Sequence, residues 1–463
     1  MNKKVLFLMI LVGILLSVTG VAVSAEKSSA NVPKEEINSA SGGTLGSRIS
    51  VAVSSTLSEE DPAVAFCDGI YMVVYAADDD IYGQRIDQDG NLLDDDPIKI
   101  NDDLYWVKPT REPDVACIWP DPLLSTKYFV VVWRYEYSGS DYDIHAQALT
   151  TQGSIISGNE LELAASGDNE RNPTIACEVD DYYCMVLYRF DNTDIEGRRL
   201  ELIEETFSTY LESFGDKFDP GTIIGSDEEN PDVTWSKTQE EYMAVWQAWY
   251  EDPNGAHSRI RYNFLYEDEQ GDGVSEAKSA SDWLIPLGTY GTGWEHTQEH
   301  PEAAFNNLSG NYMVTYRAFY GGNANGVGVL HNGSTMVGSP FYLDGNSRFS
   351  YRTEVAFSGG QTGVVNADDE FLAVNIESGS SYDYLDGAYI KTGSVSDQDV
   401  SIEYVTGSVH INNPDITGNP FDGNYLVVWE AVNPGTPGQS DIFAQRMGNM
   451  DNQSAIFLPL VLR

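Results

Sequence analysis

Positive charge is what this chain lacks most. Lys and Arg number 26 against 72 Asp and Glu, with six His, for a formal net charge of −46. A field of that sign repels nucleic acid and anionic lipid, so neither is expected as a partner. It suits solubility, cations and salty or calcium-rich surroundings, and most of the acids read as a solvated surface. Helical periodicity is equally scarce: the best helical candidate is residues 200–213, and no stretch sustains an apolar period of 3.6. No Cys-x-x-Cys pair suggests zinc. No Gly-x-Ser-x-Gly elbow, phosphate-binding loop or Rossmann fingerprint is present. An enzyme would therefore need a site assembled from distant segments.

Long apolar runs are also few. The one at Val5 to Val18 follows Lys3 and Lys4 and precedes Val23-Ser24-Ala25. That order is a secretory signal over residues 1–25, with a small-residue cleavage site. The competing reading, an uncleaved anchor, is disfavoured because the run is short for a spanning helix. Loss of Lys3 and Lys4 takes the mature chain to about −48. Residues 26–44 are rich in Ser, Glu, Lys and Gly and read as a flexible linker. No second apolar run is long enough to span a bilayer. The expected product is secreted or held at the cell surface, monomeric, with no transmembrane segment after cleavage.

What is abundant is a repeat. A strand of the type Pro-x-Val-Ala, a second of the type Tyr-x-Val-Val-Trp and a third of the type Asp-Ile-x-x-Gln-Arg recur. The first copy reads PAVAF from Pro62, YMVVY from Tyr71 and DIYGQRI from Asp80. The last reads PDIT from Pro414, YLVVW from Tyr425 and DIFAQRM from Asp441. Opening strands begin at Pro62, Pro113, Pro173, Pro231, Pro301, Thr353 and Pro414, roughly 60 residues apart. Short apolar strands separated by Gly, Asp, Asn and Pro clusters, seven times over, predict an all-β seven-bladed β-propeller over residues 45–463. Fourth strands are expected at Pro97 to Asn101, Glu160 to Ala164, Thr222 to Gly225, Trp283 to Leu287, Pro340 to Leu343 and Ser401 to Val405. The ring is expected to close when Arg48 to Ser54 joins the last blade as its outer strand, removing an open edge. Ile456 to Leu462 competes for that slot but carries Pro459.

Four Cys lie in the first three copies, an even count suited to bridges in an exported chain. Cys177 ends one strand and Cys184 sits in the next, so a hairpin brings them together. Cys67 and Cys117 end the opening strands of adjacent blades on facing surfaces. Four cysteines allow three pairings; Cys67–Cys117 with Cys177–Cys184 is the expected one.

The two strand motifs, ahead of the turn Asp87-Gln88-Asp89-Gly90, resemble repeats of secreted bacterial and archaeal cell-surface propeller proteins, over residues 45–463. The ending IFLPLVLR resembles short tails of some exported bacterial proteins. The Asp-box of sialidase-like propellers and the Gly-His and Trp-Asp signature of the WD40 type are missing. The resemblance implies that loops entering each blade, and loops between second and third strands, share the face around the channel mouth.

Basic residues fall there repeatedly despite their scarcity: Arg111, Arg171, His300 and Arg352 before opening strands, and Arg134, Arg189 and Arg317 after second strands. The second-to-third-strand loops add Tyr135, Tyr137, Tyr142, Phe190, Trp249, Tyr250, Phe319 and Tyr320. Aromatic faces beside guanidinium forks suit sugar rings, and the forks would equally suit uronate carboxylates. Ion pairing of the arginines with neighbouring acids is the plainer alternative. The run His296-Thr-Gln-Glu299-His300 matches a zinc-peptidase pattern, but it runs straight into Pro301 and a strand, where the required helix cannot form. A loop metal site using His296, His300 and Glu295 or Glu299 is the lesser form of that idea. No cofactor motif is evident. Calcium is the ion that acidic turns suit, and Asp268 and Asp272 flanking a Gly form the best such turn, ahead of Asp78 to Asp80 and Asp94 to Asp96. The leading functional expectation is a non-catalytic propeller binding an extracellular glycan or a surface protein at the channel mouth. A polysaccharide-active hydrolase or lyase on the same face is the second. A structural surface-layer component is the third.

Overall fold

The second strand of each repeat is apolar at nearly every position, and that pattern sets the architecture. Side chains of a strand alternate between two faces, so a strand without polar positions must be covered on both. In Ile70–Ala77, Tyr71, Val73 and Tyr75 pack with Leu426 and Val428 of the last repeat. Met72, Val74 and Ala76, on the other face, pack with Phe129 and Val131 of the second repeat. Stacked sheets satisfy both faces at once.

The computed structural model describes residues 43–448 apart from 55–56, 103–108, 120–125, 140, 157–159, 180, 206–207, 222–226, 253–254, 268–274, 278–282, 286–296, 321–322, 344–348, 359–369, 380–381, 392–393, 407–409 and 433–438. Its strands form seven antiparallel sheets, each following a strand order from the inner strand outward, which makes the chain a seven-bladed β-propeller. The inner strands of blades 1 to 7 are Glu59–Cys67, Thr110–Ile118, Glu170–Cys177, Glu228–Ser236, Gln298–Asn306, Phe349–Phe357 and Ile411–Gly418. Each contacts the inner strands on either side, and blade 7 returns to blade 1. The described buried apolar side chains group into seven clusters, one between each pair of neighbouring blades. Trp133, Trp246 and Trp429, the last residue of the second-strand motif in three blades, are fully buried in them.

The ring closes as expected. Thr44–Ala52 pairs with Ser440–Met447 and supplies the outer strand of blade 7. The competing segment, residues 456–462, lies outside the described residues. Both disulfides also form as expected, Cys67–Cys117 between blades 1 and 2 and Cys177–Cys184 within blade 3. Among the described residues no helix is long and apolar enough to cross a membrane.

Blade 3 departs from expectation. The helical candidate at 200–213 is instead two strands, Asp194–Glu204 and Thr209–Phe218, joined by a tight turn in which Glu205 N donates to Ser208 O. Burial along Asp194–Glu204 alternates with period two rather than 3.6. The outer strand of this blade is thus Thr209–Phe218, and the segment expected there, Thr222 to Gly225, lies outside the described residues. The other outer strands fall at or beside their expected places: Ile98–Lys99, Leu161–Ala164, Trp283–Leu284 beside Ser275–Ala277, Met336–Tyr342 and Ser394–Thr406.

One local feature positions the functional site. Near its start, every inner strand slips register against its partner by one extra residue. In six blades the slip carries a left-handed residue directly before the opening Pro: Asp61, Glu112, Asn172, Asn230, His300 and Asn413. Such a bulge re-aims side chains and leaves them off the ladder.

Candidate active site at the channel mouth

The bulges ring a central cavity of about 390 Å³ at the end where the inner strands begin. Two positions per blade face it. The residue before the opening residue gives Asp61, Glu112, Asn172, Asn230, His300, Arg352 and Asn413. The residue after it gives Ala63, Asp114, Thr174, Asp232, Glu302, Glu354 and Asp415. The lining therefore holds seven carboxyls against one guanidinium and one imidazole.

The second ring divides by side-chain length. Where it is Asp, the carboxylate reaches the next blade's backbone. Asp114 accepts from Ile175 N at 2.8 Å, Asp232 from Ala303 N at 2.7 Å and Asp415 from Val64 N at 2.6 Å. These are inter-blade clasps. Burial still pushes Asp114 up to about 6 and Asp232 up to about 7, although the backbone donors oppose it. In blades 5 and 6 the residue is Glu, and each of the two carboxyls shifts the other. Burial, with the neighbouring Glu354 second, holds Glu302 well above the usual carboxylate range. Burial pushes Glu354 up to about 7, while Arg352, donating from Nε to Glu354 Oε1 at 2.8 Å, resists the rise. Two carboxyls in contact cannot both ionise. Both are raised above the ordinary carboxylate range, and Arg352 beside Glu354 favours charge on that member.

Arg352 organises this side of the mouth. Burial works against its charge, yet Glu354 and Glu302 hold its pKa above the ordinary value, and Asp61 adds to that field. Its Nη1 donates to Asn413 Oδ1 at 3.0 Å, and Asn413 Nδ2 donates to Asp61 Oδ1 at 2.8 Å. Burial raises Asp61, and Arg352 and Arg111 act against that rise. His300 completes the group. Burial, then the charges of Arg352 and Arg317, bring its pKa down to about 4, so the ring is neutral at physiological pH.

The expected arginine face divides by one residue of register. His300 and Arg352, directly before the opening residue, line the cavity. Arg111 and Arg171 sit one residue earlier and do not. Arg111 faces Glu60 at 3.5 Å and Asp79 at 4.0 Å. Arg171 and Arg134 both lie over the Tyr142 ring, at 4.5 and 4.9 Å, and Arg134 pairs with Glu112 at 2.8 Å. Arg189 pairs with Glu229 at 3.2 Å and Arg317 with Glu299 at 3.5 Å.

Of the expected aromatics, Tyr135 is corrected to a core residue: it is 7 % exposed and packs on His145. Trp249 donates to Glu229, and Tyr250 receives Arg261. Tyr320 ends a strand, and its side chain lies outside the described residues. So do Asp268, Asp272 and His296. Glu299 and His300 lie on a strand, so the helix that a zinc peptidase needs is not formed there. The acidic runs near blade 1 are engaged locally, Asp80 by Lys99 and Asn101 and Asp94 by Arg85. Among the described residues no cluster of three or more His, Cys, Asp or Glu is arranged to hold a metal.

No protein-family model matches the chain, and no curated protein matches it in sequence. Solved structures match in shape. An endo-arabinase from Bacteroides thetaiotaomicron is 12% identical over 64% of this chain and 95% of its own, with a TM-score of 0.35. An α-L-arabinanase of Cellvibrio cellulosa, complexed with arabinohexaose, is 10% identical over 62% and 95%, at 0.33. A mutant of AofleA from Arthrobotrys oligospora is 9% identical over 77% and 89%, at 0.41. These likenesses are of fold alone.

The expectation of a non-catalytic glycan-binding face is corrected on the geometry of the mouth. Arg134, Arg189 and Arg317, on which it rested, are ion-paired with Glu112, Glu229 and Glu299, and the cavity is lined instead by carboxyls around Arg352.

Proposed function

We propose that this protein is a polysaccharide hydrolase acting at the blade 5 and blade 6 side of the channel mouth. The carrying observation is the Glu302–Glu354 pair over Arg352. Glycosidic hydrolysis needs one carboxyl that keeps its proton and one carboxylate that activates water or attacks the sugar. Glu302 is the acid: burial first, then the adjacent Glu354, raises its carboxyl well above the usual range. Asp61 is the basic partner: it is joined to Arg352 through Asn413, and that guanidinium works against the burial that raises its carboxyl. Glu354 raises Glu302, and Arg352 bonds Glu354 directly and Asp61 through Asn413.

The charge of the mouth argues for a neutral polymer. With one guanidinium among seven carboxyls, the lining offers uronates few of the cationic partners that unpaired arginine forks would have supplied. The two disulfides suit work in an oxidising compartment outside the cytosol.

The test is release of reducing sugar from a panel of soluble neutral polysaccharides. Wild type should release sugar from at least one. Glu302→Gln and Asp61→Asn should each lower the rate by roughly 10²–10⁴-fold, with circular dichroism unchanged. No release by wild type, or full activity in Glu302→Gln, rejects the proposal.

A further inference from the structure

Blade 6 breaks the repeat at a second place. Its inner strand carries Thr353 where the other six have Pro. Proline has no N–H for the ladder, whereas Thr does, and Thr353 pairs opposite Asn375. The bulge therefore moves one residue earlier. Ser350 pairs with Glu377 and Arg352 with Ile376, which leaves Tyr351 as the extra residue. Its repeat equivalents are Glu60, Arg111, Arg171, Glu229, Glu299 and Asn412, all polar and half-buried. Tyr351 is aromatic and 56 % exposed.

The ring does not stand alone. Arg317 of blade 5 places its guanidinium 5.4 Å from the Tyr351 ring centre and 4.3 Å from that of Phe319. The same guanidinium faces Glu299 at 3.5 Å. Tyr351, Arg317 and Phe319 thus form a shelf on the rim of the two blades that supply the carboxyl pair. His300, whose ring feels both Arg317 and Arg352, joins the shelf to the cavity.

We infer that this shelf is a subsite for a sugar ring of a neutral polysaccharide, on the stretch of chain that runs out of the cavity over the rim. A cavity of about 390 Å³ holds a few sugar units and not a polymer. The chain must leave over some part of the rim, and here an exposed ring adjoins hydrogen-bonding groups of both kinds. The C–H face of a sugar lies on Tyr351, while Arg317 donates to and Glu299 accepts from its hydroxyls. The assignment of the shelf as part of an active site rests on the hydrolase proposal; its capacity to bind a sugar does not.

Binding and cleavage are measured separately. Arabinohexaose, xylohexaose and cellohexaose are titrated calorimetrically into Glu302→Gln, and into the same variant carrying Tyr351→Ala or Tyr351→Phe. At least one hexaose should bind, Tyr351→Ala should weaken it about tenfold and Tyr351→Phe should retain it. Wild type and Tyr351→Ala are then assayed for cleavage of the bound hexaose, with KM expected to rise in Tyr351→Ala. If no hexaose binds, or if Tyr351→Ala binds as tightly as its parent, the shelf is not a sugar subsite. If Tyr351→Ala loses binding while wild type cleaves nothing, the hydrolase proposal falls and the subsite stands.

Discussion

Replacing Glu170 by Gln should stabilise the protein by an amount that grows as pH rises from about 4.5 and is full above about 7. Glu170 opens the inner strand of blade 3 and is 2 % exposed. Its Oε1 accepts from Ser166 Oγ at 2.6 Å, while Oε2 is buried without a hydrogen-bond partner. Burial first, then the charges of Asp143, Glu196 and Asp168, push the carboxyl from 4.5 up to about 7, with Ser166 opposing. At about 1.4 kcal/mol per pKa unit, that difference is worth at most about 3 kcal/mol. Because the pKa is raised on folding, the folded state binds the proton more tightly. The stabilising share is therefore complete below the unfolded value and is lost as pH rises through about 7. Gln has no charge to bury, so Glu170→Gln should gain roughly 1–3 kcal/mol at pH 8.5 and nothing at pH 4. Repulsion among the other acids also grows with pH, but it acts on both proteins, and their difference at each pH removes it. Urea midpoints at four pH values measure that difference. A gain that is flat with pH, or a loss at pH 8.5, refutes the argument.

The disulfides should differ in worth by loop length. Bridges that close 50 and 7 residues stabilise by about 4 and about 2 kcal/mol in the chain-entropy account. Cys67→Ser/Cys117→Ser should therefore shift the urea midpoint further than Cys177→Ser/Cys184→Ser, and the reverse order would overturn that account for this ring. His300 should stay neutral from pH 5 to 8, with ring resonances that move only near pH 4. Titration near pH 6.5 in nuclear magnetic resonance spectra would remove it from the buried, doubly cation-facing position described here.

The fold was legible because a propeller strand is constrained on both faces. Tyr71 to Tyr75 had to be apolar throughout, since its odd and even positions enter different inter-blade clusters. The outer strand of blade 3 was not legible for the converse reason. Thr209–Phe218 is half-buried or exposed at every position, so burial imposed no pattern on it. Residues 200–213 then matched a helical spacing that no tertiary contact had filtered. The disulfides were legible because Cys67 and Cys117 occupy comparable places in adjacent units.

The site was half visible for a reason rooted in repetition. Scarce arginines drew attention, yet a side chain one residue from the opening position faces differently from one two residues away. Arg352 and His300 line the cavity, and Arg111 and Arg171 pair outside it. The carboxyls were hidden among 72 acids. A usable signal was present on either side of the opening residue, where Asp clasps recur in blades 2, 4 and 7 and Glu replaces them in blades 5 and 6. In a ring of seven copies, the residues that agree maintain the ring. Asp114, Asp232 and Asp415 each bind the next blade's backbone. The residues that disagree are free of that duty. Ala63 and Thr174 depart singly, whereas His300, Glu302, Tyr351, Arg352, Thr353 and Glu354 fall together on two adjacent inner strands. A structural ring would gain nothing from such a concentration, because loss of clasps and of the opening Pro weakens one sector without strengthening another. The same concentration is what the single asymmetric substrate of the proposed hydrolase would require of a symmetric scaffold.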